Sequence, residues 1–294
     1  IMVKLASGYN LVIKKSEIKS VKLLTAKPEN KKLQKYEYKN NLPLISILHT
    51  GGTVSSKVDY ETGAVSSQFS ASDIIDKFPE LRRIANISSR LISSILSANM
   101  RFHNYNVIAK EIQNELKNKP KGIVVTHGTD TLHYTAAALS FILENIDIPV
   151  ILVGAQRSSD RPSTDAADNL INAARFIKES NFTGVAVCMH ASLNNEHSAI
   201  LPACKARKLH TSRRDAFKVV NGNCIAEIKD KIVFFNKTNS GKKGEFKLKP
   251  IKENLKIGLV KTHPNMYAPE FDVFKILMHL LLRGLDWDMR LLKK

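Results

Sequence analysis

The sequence predicts an α/β protein built on a mostly parallel sheet with flanking helices, and three observations predict it. Short apolar, β-branched runs recur at 44–48, 122–125 and 148–153, and runs of that length read as strands buried on both faces. Helix-like stretches lie between them, the alternation that βαβ units produce. Two of the strands end in glycine–threonine turns, Thr50-Gly51-Gly52-Thr53 and His127-Gly128-Thr129-Asp130-Thr131. Hydroxyls at the C-terminal ends of such strands converge on the crevice where open α/β sheets bind ligands. That crevice is where chemistry is expected.

Taken in order, residues 1–24 alternate apolar and polar side chains around Ser7-Gly8-Tyr9-Asn10, which reads as a β-hairpin with a third strand containing Ile18, Val21 and Leu23. Three short strands make a poor core of their own. The chain opens without methionine, so an upstream segment is expected. Residues 27–42, polar and charged with Pro28, read as a linker. After the strand at Leu44, residues 54–68 are rich in Ser, Gly and Asp and read as a surface loop at the mouth of the sheet. Ser70-Ala71-Ser72-Asp73 caps a short helix carrying Ile74, Ile75, Phe78 and Leu81. A strand is expected at 91–96, and an amphipathic helix at 104–116 with Val107, Ile108, Ile112 and Leu116 at helical spacing. The alanine-rich run 132–143 comes after the second turn as a helix. The strand at 148–153 leads to Gly154-Ala155-Gln156-Arg157, and Ser163-Thr164-Asp165 caps a helix through Phe176. A further strand is expected at 184–189. From Ala199 the pattern is irregular and basic, and one last strand is expected at 255–260.

Composition narrows the function classes. The 294 residues suffice for a sizeable core and one large or two modest domains. No apolar run approaches the about 18 residues that span a bilayer, and no signal peptide opens the chain, so a cytoplasmic protein without a membrane partner is expected. The three cysteines, Cys188, Cys204 and Cys224, lack CxxC spacing and read as reduced thiols. The net charge of +18 has two readings. It fits a nucleic-acid partner, because clustered basic charge neutralises phosphates. It also fits a lysine-rich proteome, because the lysines are scattered through 1–39 and 229–261.

A threonine hydroxyl is a weak nucleophile that needs a base, a turn to present it and donors for the oxyanion. Gly51 and Gly52 let backbone N–H groups approach a carbonyl oxygen before Thr53. Gly128-Thr129-Asp130 adds a second hydroxyl, N–H donors at a helix start and a carboxylate able to hold an ammonium group. Either turn alone is an ordinary strand-to-helix connection. Two in one sheet are a constellation. Neither has the lysine–serine ending of a P-loop or a full GxGxxG, so phosphate binding there is disfavoured.

Thr50-Gly-Gly-Thr53, His127-Gly-Thr-Asp-Thr131 and Val153-Gly-Ala-Gln156 together resemble the asparaginase/glutaminase family, over residues 44–221. More narrowly, Lys205 to Phe217 and the Gly8-Tyr9-Asn10 hairpin are similar to the D-type, asparaginase-like subunits of archaeal glutamyl-tRNA(Gln) amidotransferases. The resemblance implies an asparaginase-like N-terminal domain at 44–236, a remnant of a small β-barrel at 1–26, a linker at 27–43, and the start of a second α/β domain at 250–294. It implies Thr53 as the nucleophile and Tyr60 as the phenol that activates it. Thr129, Asp130 and Lys208 form the second constellation, in which lysine eases deprotonation of the threonine and aspartate holds the substrate amino group. Ser97, with Gly52 and Gly128, contacts substrate, while Ala98 departs from a polar residue of the family. The implied reaction is hydrolysis of glutamine or asparagine, giving ammonia for conversion of Glu-tRNA(Gln) to Gln-tRNA(Gln). The implied partners are an E-type subunit using ATP and Mg²⁺, the tRNA, and a second copy of this chain; no cofactor is expected on this chain itself. A free-standing asparaginase and a non-catalytic RNA-binding relic of the fold are the alternatives.

Other groups read as structural. His103, His133, His190 and His197 lack metal spacing, and Asp165, Asp168 and Asn169 sit in and after a helix cap. From about residue 275 the tail is apolar and basic without glycine turns. Shifting the codon frame permits a glycine-rich strand and turn at 281–293, so an out-of-frame tail is expected and the chain as given is expected to be inactive or poorly folded. The alternative for 274–282 is an amphipathic helix.

Overall fold

The computed structural model describes residues 38–51, 70–157, 164–194, 197–235 and 244–261, with short pieces at 2–4, 10–12, 15–17, 19–20, 56–58, 65–67, 263–267, 269–270, 272, 279–283 and 291–292. It divides into two compact units, Ile1–Pro250 and Ile251–Lys294.

The first unit is organised by strands β1 (Leu44–His49), β2 (Asn86–Leu91), β3 (Gly122–Thr126), β4 (Pro149–Val153), β5 (Gly184–His190), β6 (Ser198–Pro202), β7 (Ala206–Lys208), β8 (Phe217–Val219), β9 (Ala226–Ile228) and β10 (Ile232–Phe234). Eight of them form one sheet in the order β10-β9-β6-β5-β4-β3-β1-β2, while β7 and β8 pair as a separate antiparallel ribbon. From β2 to β5 every pairing is parallel, and from β5 to β10 every pairing is antiparallel. The order β2-β1-β3-β4-β5 reverses direction between β1 and β3. That reversal is the switch point where doubly wound sheets bind ligands, beside the carboxyl ends of the strands. Both glycine–threonine turns leave from it.

Among the described residues the α-helices are α1 (Ala71–Lys77), α2 (Phe102–Glu115), α3 (Leu132–Ile142) and α4 (Ala166–Glu179). Strand side chains alternate between faces. Ile45, Ile47, Val124, Ile151 and Val153 pack with Ile74 and Ile75 of α1 and with Leu170, Ala173 and Ile177 of α4. Each such fully buried aliphatic contributes roughly 1.5–3 kcal/mol. Ser46 points the opposite way, and its hydroxyl donates to the buried carboxylate of Glu115 on α2 (2.8 Å). Burial pushes the Glu115 carboxyl up, but hydrogen bonds from Asn118, Ser46 and Arg90 win and hold it below the usual value. Arg90 joins Glu115 to the edge strand (3.3 Å).

Several boundaries differ from expectation. The strand expected at 91–96 is β2 at Asn86–Leu91. Beyond Leu91 the chain crosses the end of β1, with the Ile92 N–H donating to the His49 carbonyl (2.9 Å) and the Ile95 N–H to that of Thr50 (3.0 Å). The loop at 54–68 contains an antiparallel pair, Ser56–Val58 with Val65–Ser67. The helix expected to end at Phe176 continues to Glu179, and Asp165 does not cap it with its side chain. The basic stretch after Ala199 is not irregular but folds into β6 to β10. The Ser70 cap is as expected, a capping box closed by Asp73. The cysteines are free thiols.

At the start of the chain, Met2–Lys4 pairs antiparallel with Asn10–Val12; the third strand and most of the linker lie outside the described residues. In the second unit, Ile257–Lys261 runs parallel to His279–Arg283, which pairs antiparallel with Leu291–Leu292. The helix weighed for 274–282 therefore does not form over 279–282; residues 274–278 lie outside the described residues. No helix among the described residues is long and apolar enough to cross a membrane.

Candidate active site

The two turns are tied together where β1 and β3 end. The Thr50 N–H and hydroxyl both donate to the Thr126 carbonyl (3.1 and 2.9 Å). His49, buried beneath them, bonds Thr126 Oγ1 through Nδ1 (2.7 Å) and Ser89 Oγ through Nε2 (2.9 Å). Burial pulls its pKa down to about 3, so the ring is neutral. Gly51 has φ +105°, and a Cβ there would sit 2.9 Å from the Ile95 carbonyl oxygen. Only glycine meets both conditions. At the second turn, a Cβ on Gly128 would meet Ser97 Oγ at 2.7 Å and Ser97 Cβ at 2.8 Å, so the missing side chain lets Ser97 close on the turn.

His127 braces the second turn against α3. Its Nδ1 lies 2.7 Å from the Gly128 carbonyl, which can only accept, so that nitrogen carries the proton. Nε2 therefore accepts from the Thr135 hydroxyl on α3 (2.9 Å). Burial draws this ring down to a pKa of about 4. Thr131, at the start of α3, donates to the Ser97 carbonyl (2.7 Å). Thr129 and Asp130 are thereby held between a buried strand end and a helix start.

The third member arrives from the antiparallel side. Lys208, at the end of β7, extends a nearly buried side chain whose Nζ donates to Thr129 Oγ1 (2.8 Å) and to Asp130 Oδ1 (2.9 Å). An amine at that distance can take the hydroxyl proton or stabilise the alkoxide, and the carboxylate beside it fixes where the amine points. Asp130 is the exposed partner, with 68% of its side chain accessible against 9% for Lys208, so its carboxylate also faces anything entering from solvent.

The loop after Lys208 walls the site. His210 Nδ1 accepts the N–H groups of Ser212 and Arg213 (3.1 Å each), leaving the ring proton on Nε2. Arg213 grips the buried Asp215 with two bonds of 2.9 Å, and Lys218 adds a third contact at 3.0 Å. The Arg213 hydrogen bond, helped by the bond and charge of Lys218, holds the Asp215 carboxyl down at about 2 against burial. Gln156, after β4, donates to the Arg213 carbonyl (2.8 Å) and closes the loop against the parallel sheet. The result is a cavity of about 280 Å³ lined by Asp130, His133, Lys208, Leu209, His210 and Thr211.

Of the residues singled out from sequence, the structure brings Thr129, Asp130 and Lys208 into contact and buries Ser97 against Gly128. Thr53, Gly52 and Tyr60 lie outside the described residues. Asp165 is structural: its carboxylate accepts the N–H groups of Gln156 (2.9 Å) and Arg157 (2.8 Å), and Asn169 braces it (3.2 Å). No group of His, Cys, Asp and Glu among the described residues could hold a metal ion. Sequence reasoning misses the part played by two residues, one in the cavity wall and one that holds the loop. His133 reads as packing, yet it lines the cavity. Gln156 carries no signal beyond its place in Gly-Ala-Gln, because its partners are backbone carbonyls more than fifty residues away.

Known proteins share this sequence and fold. The sequence model described as "Asparaginase, N-terminal" matches residues 44–240. The chain is 46% identical over 284 residues to the D-type subunit of glutamyl-tRNA(Gln) amidotransferase from Methanococcus vannielii, covering 90% of this chain and 66% of that protein. It is 43% identical over 277 residues to the corresponding Pyrococcus furiosus protein, covering 92% and 63%. The chain thus spans about two thirds of the length of these curated relatives. Among solved structures, the thermostable L-asparaginase from Thermococcus kodakarensis superposes with a TM-score of 0.72 at 29% identity, over 83% of this chain and 72% of that one. The chain belongs to the asparaginase family, among relatives named as the D-type subunit of glutamyl-tRNA(Gln) amidotransferase.

Proposed function

We propose that this chain is the amide-hydrolysing subunit of a cytoplasmic glutamyl-tRNA(Gln) amidotransferase. It releases ammonia from glutamine or asparagine, and a partner subunit of the E type uses that ammonia, with ATP and Mg²⁺, to convert Glu-tRNA(Gln) to Gln-tRNA(Gln). The observation that carries the reading is the amine of Lys208, 2.8 Å from a threonine hydroxyl and 2.9 Å from a carboxylate at the sheet's switch point. In this reading the Thr53 hydroxyl, activated by Tyr60, attacks the carboxamide carbon. The C–N bond breaks, ammonia leaves with a proton, and an acyl-threonine ester remains. Water then attacks the ester. Thr129 and Lys208 accept its proton, and the carboxylic acid is released as Thr53 regains its own. Asp130 holds the substrate ammonium group. Two copies of the chain complete each site, since closed two-fold assemblies are the commonest solution.

The test is ammonia release from glutamine and asparagine by the chain alone and assembled with the partner subunit and Glu-tRNA(Gln). Release that depends on partner and tRNA, and is lost in Thr53→Ala and Thr129→Ala, is the expected result. Efficient hydrolysis by the chain alone overturns the subunit assignment in favour of a free-standing asparaginase. Ordinary turnover by both alanine variants overturns the threonine mechanism.

A further inference from the structure

A second cavity, again of about 280 Å³, lies beside the first and is lined by His133, Tyr134, Ala137, Ala203, Cys204, Lys205, Ala206, Arg207 and Val220. Consecutive strand residues face opposite ways. Lys208 accordingly lines the amide cavity and Arg207 the second one, and His133 lines both. Lys205 and Arg207, two positions apart, both line the second cavity. Arg207 rests over the Tyr134 ring, 5.4 Å from its centre. Lys205 gives one proton to the Asn221 carbonyl (3.0 Å) and keeps two others. No carboxylate of the described residues lines this cavity, so its two cations have no anion in its wall.

We propose that this second cavity binds a small phosphorylated molecule. Lys205 and Arg207 hold the phosphoryl group, and the wall of Ala137, Ala203, Ala206 and Val220 takes the body of the ligand. Three features favour that class. A phosphate monoester carries a charge near −2 at neutral pH, which matches two uncompensated cations. An ammonium group from the turn at Lys205 and a guanidinium from β7, both lining one small cavity, can converge on one tetrahedral dianion. At about 280 Å³ the cavity falls just below the roughly 300–1,000 Å³ range of drug-sized ligand pockets, which suits a small molecule and not a nucleic-acid strand. Such binding goes beyond the amidase reading and does not depend on it, because its test reads binding and not catalysis.

Calorimetric titration of the chain with glycerol 3-phosphate, at fixed ionic strength, decides it. One saturable site per chain is expected. Arg207→Gln weakens binding at least tenfold, and Lys205→Gln weakens it several-fold. Lys229→Gln, an equal change in charge elsewhere, leaves it unaltered. Ala137→Leu fills the apolar wall from α3, so it removes glycerol 3-phosphate binding while inorganic phosphate still binds. That variant carries the test should Arg207→Gln fail to give a cooperative melting transition. No saturable binding overturns the proposal, as does equal weakening by Lys229→Gln, which marks general attraction to a cationic surface. Tighter binding of succinate overturns the phosphoryl assignment. Displacement of glycerol 3-phosphate by a lower concentration of a short RNA overturns the small-molecule assignment.

Discussion

Strands β1, β3 and β4 are buried on both faces and uncharged apart from the neutral His49, whereas β7 to β10 are three residues each and only partly buried, and β7 and β8 carry Arg207, Lys208 and Lys218. The first group has its side chains locked in the core and offers function only its strand ends, where glycine turns present backbone and hydroxyls. The second group has little core to protect and supplies the long charged side chain, Lys208. The site forms at the seam between them. Labour is divided accordingly: the parallel half supplies position and the Asp130 carboxylate, and the antiparallel ribbon supplies the cation.

The division breaks most visibly if charge is removed. Lys208→Met is expected to lower amide hydrolysis by three or more orders of magnitude, the scale for groups that act as a unit, while the thermal midpoint stays close to that of the parent. Ammonia release and a melting curve on the same sample check both halves. A large loss of stability would show that the edge also carries the fold.

Next comes removal of core from each region. Ile151→Ala, fully buried in β4, is expected to cost about 2–5 kcal/mol in denaturant unfolding. Val233→Ala, 54% exposed in β10, should stay within about 0.5 kcal/mol. Similar costs would erase the distinction. A smaller effect is expected at the seam. Gly128→Ala drives a Cβ into Ser97 and should cost about 1–3 kcal/mol and raise the substrate concentration needed for half-maximal rate, because Ser97 must retreat from the turn.

The subtlest difference is in acid. His127 is held near a pKa of 4 and His49 near 3 in the folded chain, against about 6.5 when unfolded. Below pH 6.5 the unfolded state binds more protons, so stability falls as pH drops from about 6.5 toward 4. Asp215, held at about 2, works lower: its contribution is complete above the unfolded value of about 3.9 and is lost as pH falls through 2. Melting midpoints measured from pH 7 to 4 should slope for the parent and flatten in His127→Gln. An unchanged slope would remove His127 from the account.

Legibility in the sequence divides along the same seam. β1, β3 and β4 are readable because continuous β-branched runs bounded by glycine have few alternative folds. β2 reads several residues too late, since Ile92, Ile95 and Leu96 look more strand-like than Asn86-Ile-Ser-Ser-Arg90, the edge strand itself. β7 to β10 read as irregular because three-residue strands are too short to leave a period to detect. Thr129 and Asp130 are readable from their glycine turn, whereas Lys208 emerges only through resemblance to a family, because nothing local connects the threonine and lysine, 79 residues apart. Asp165 reads as a helix cap, but its carboxylate turns back to the β4 loop, a choice made by tertiary contacts. His133 lacks metal spacing, a criterion that says nothing about lining a cavity.

Gly51 has a consequence for how this protein can evolve. Every replacement of that glycine brings a Cβ, and there the Cβ meets a backbone oxygen of Ile95 that cannot rotate aside, at a φ that such residues avoid. In a saturation library the column for position 51 should therefore empty under selection for folding. At Gly222 a Cβ would meet the movable tip of Lys205 at 3.2 Å, and that column should fill. The chain thus carries, where β1 gives way to its turn, a position with no viable substitution, and lineages that diverge around it must keep the glycine.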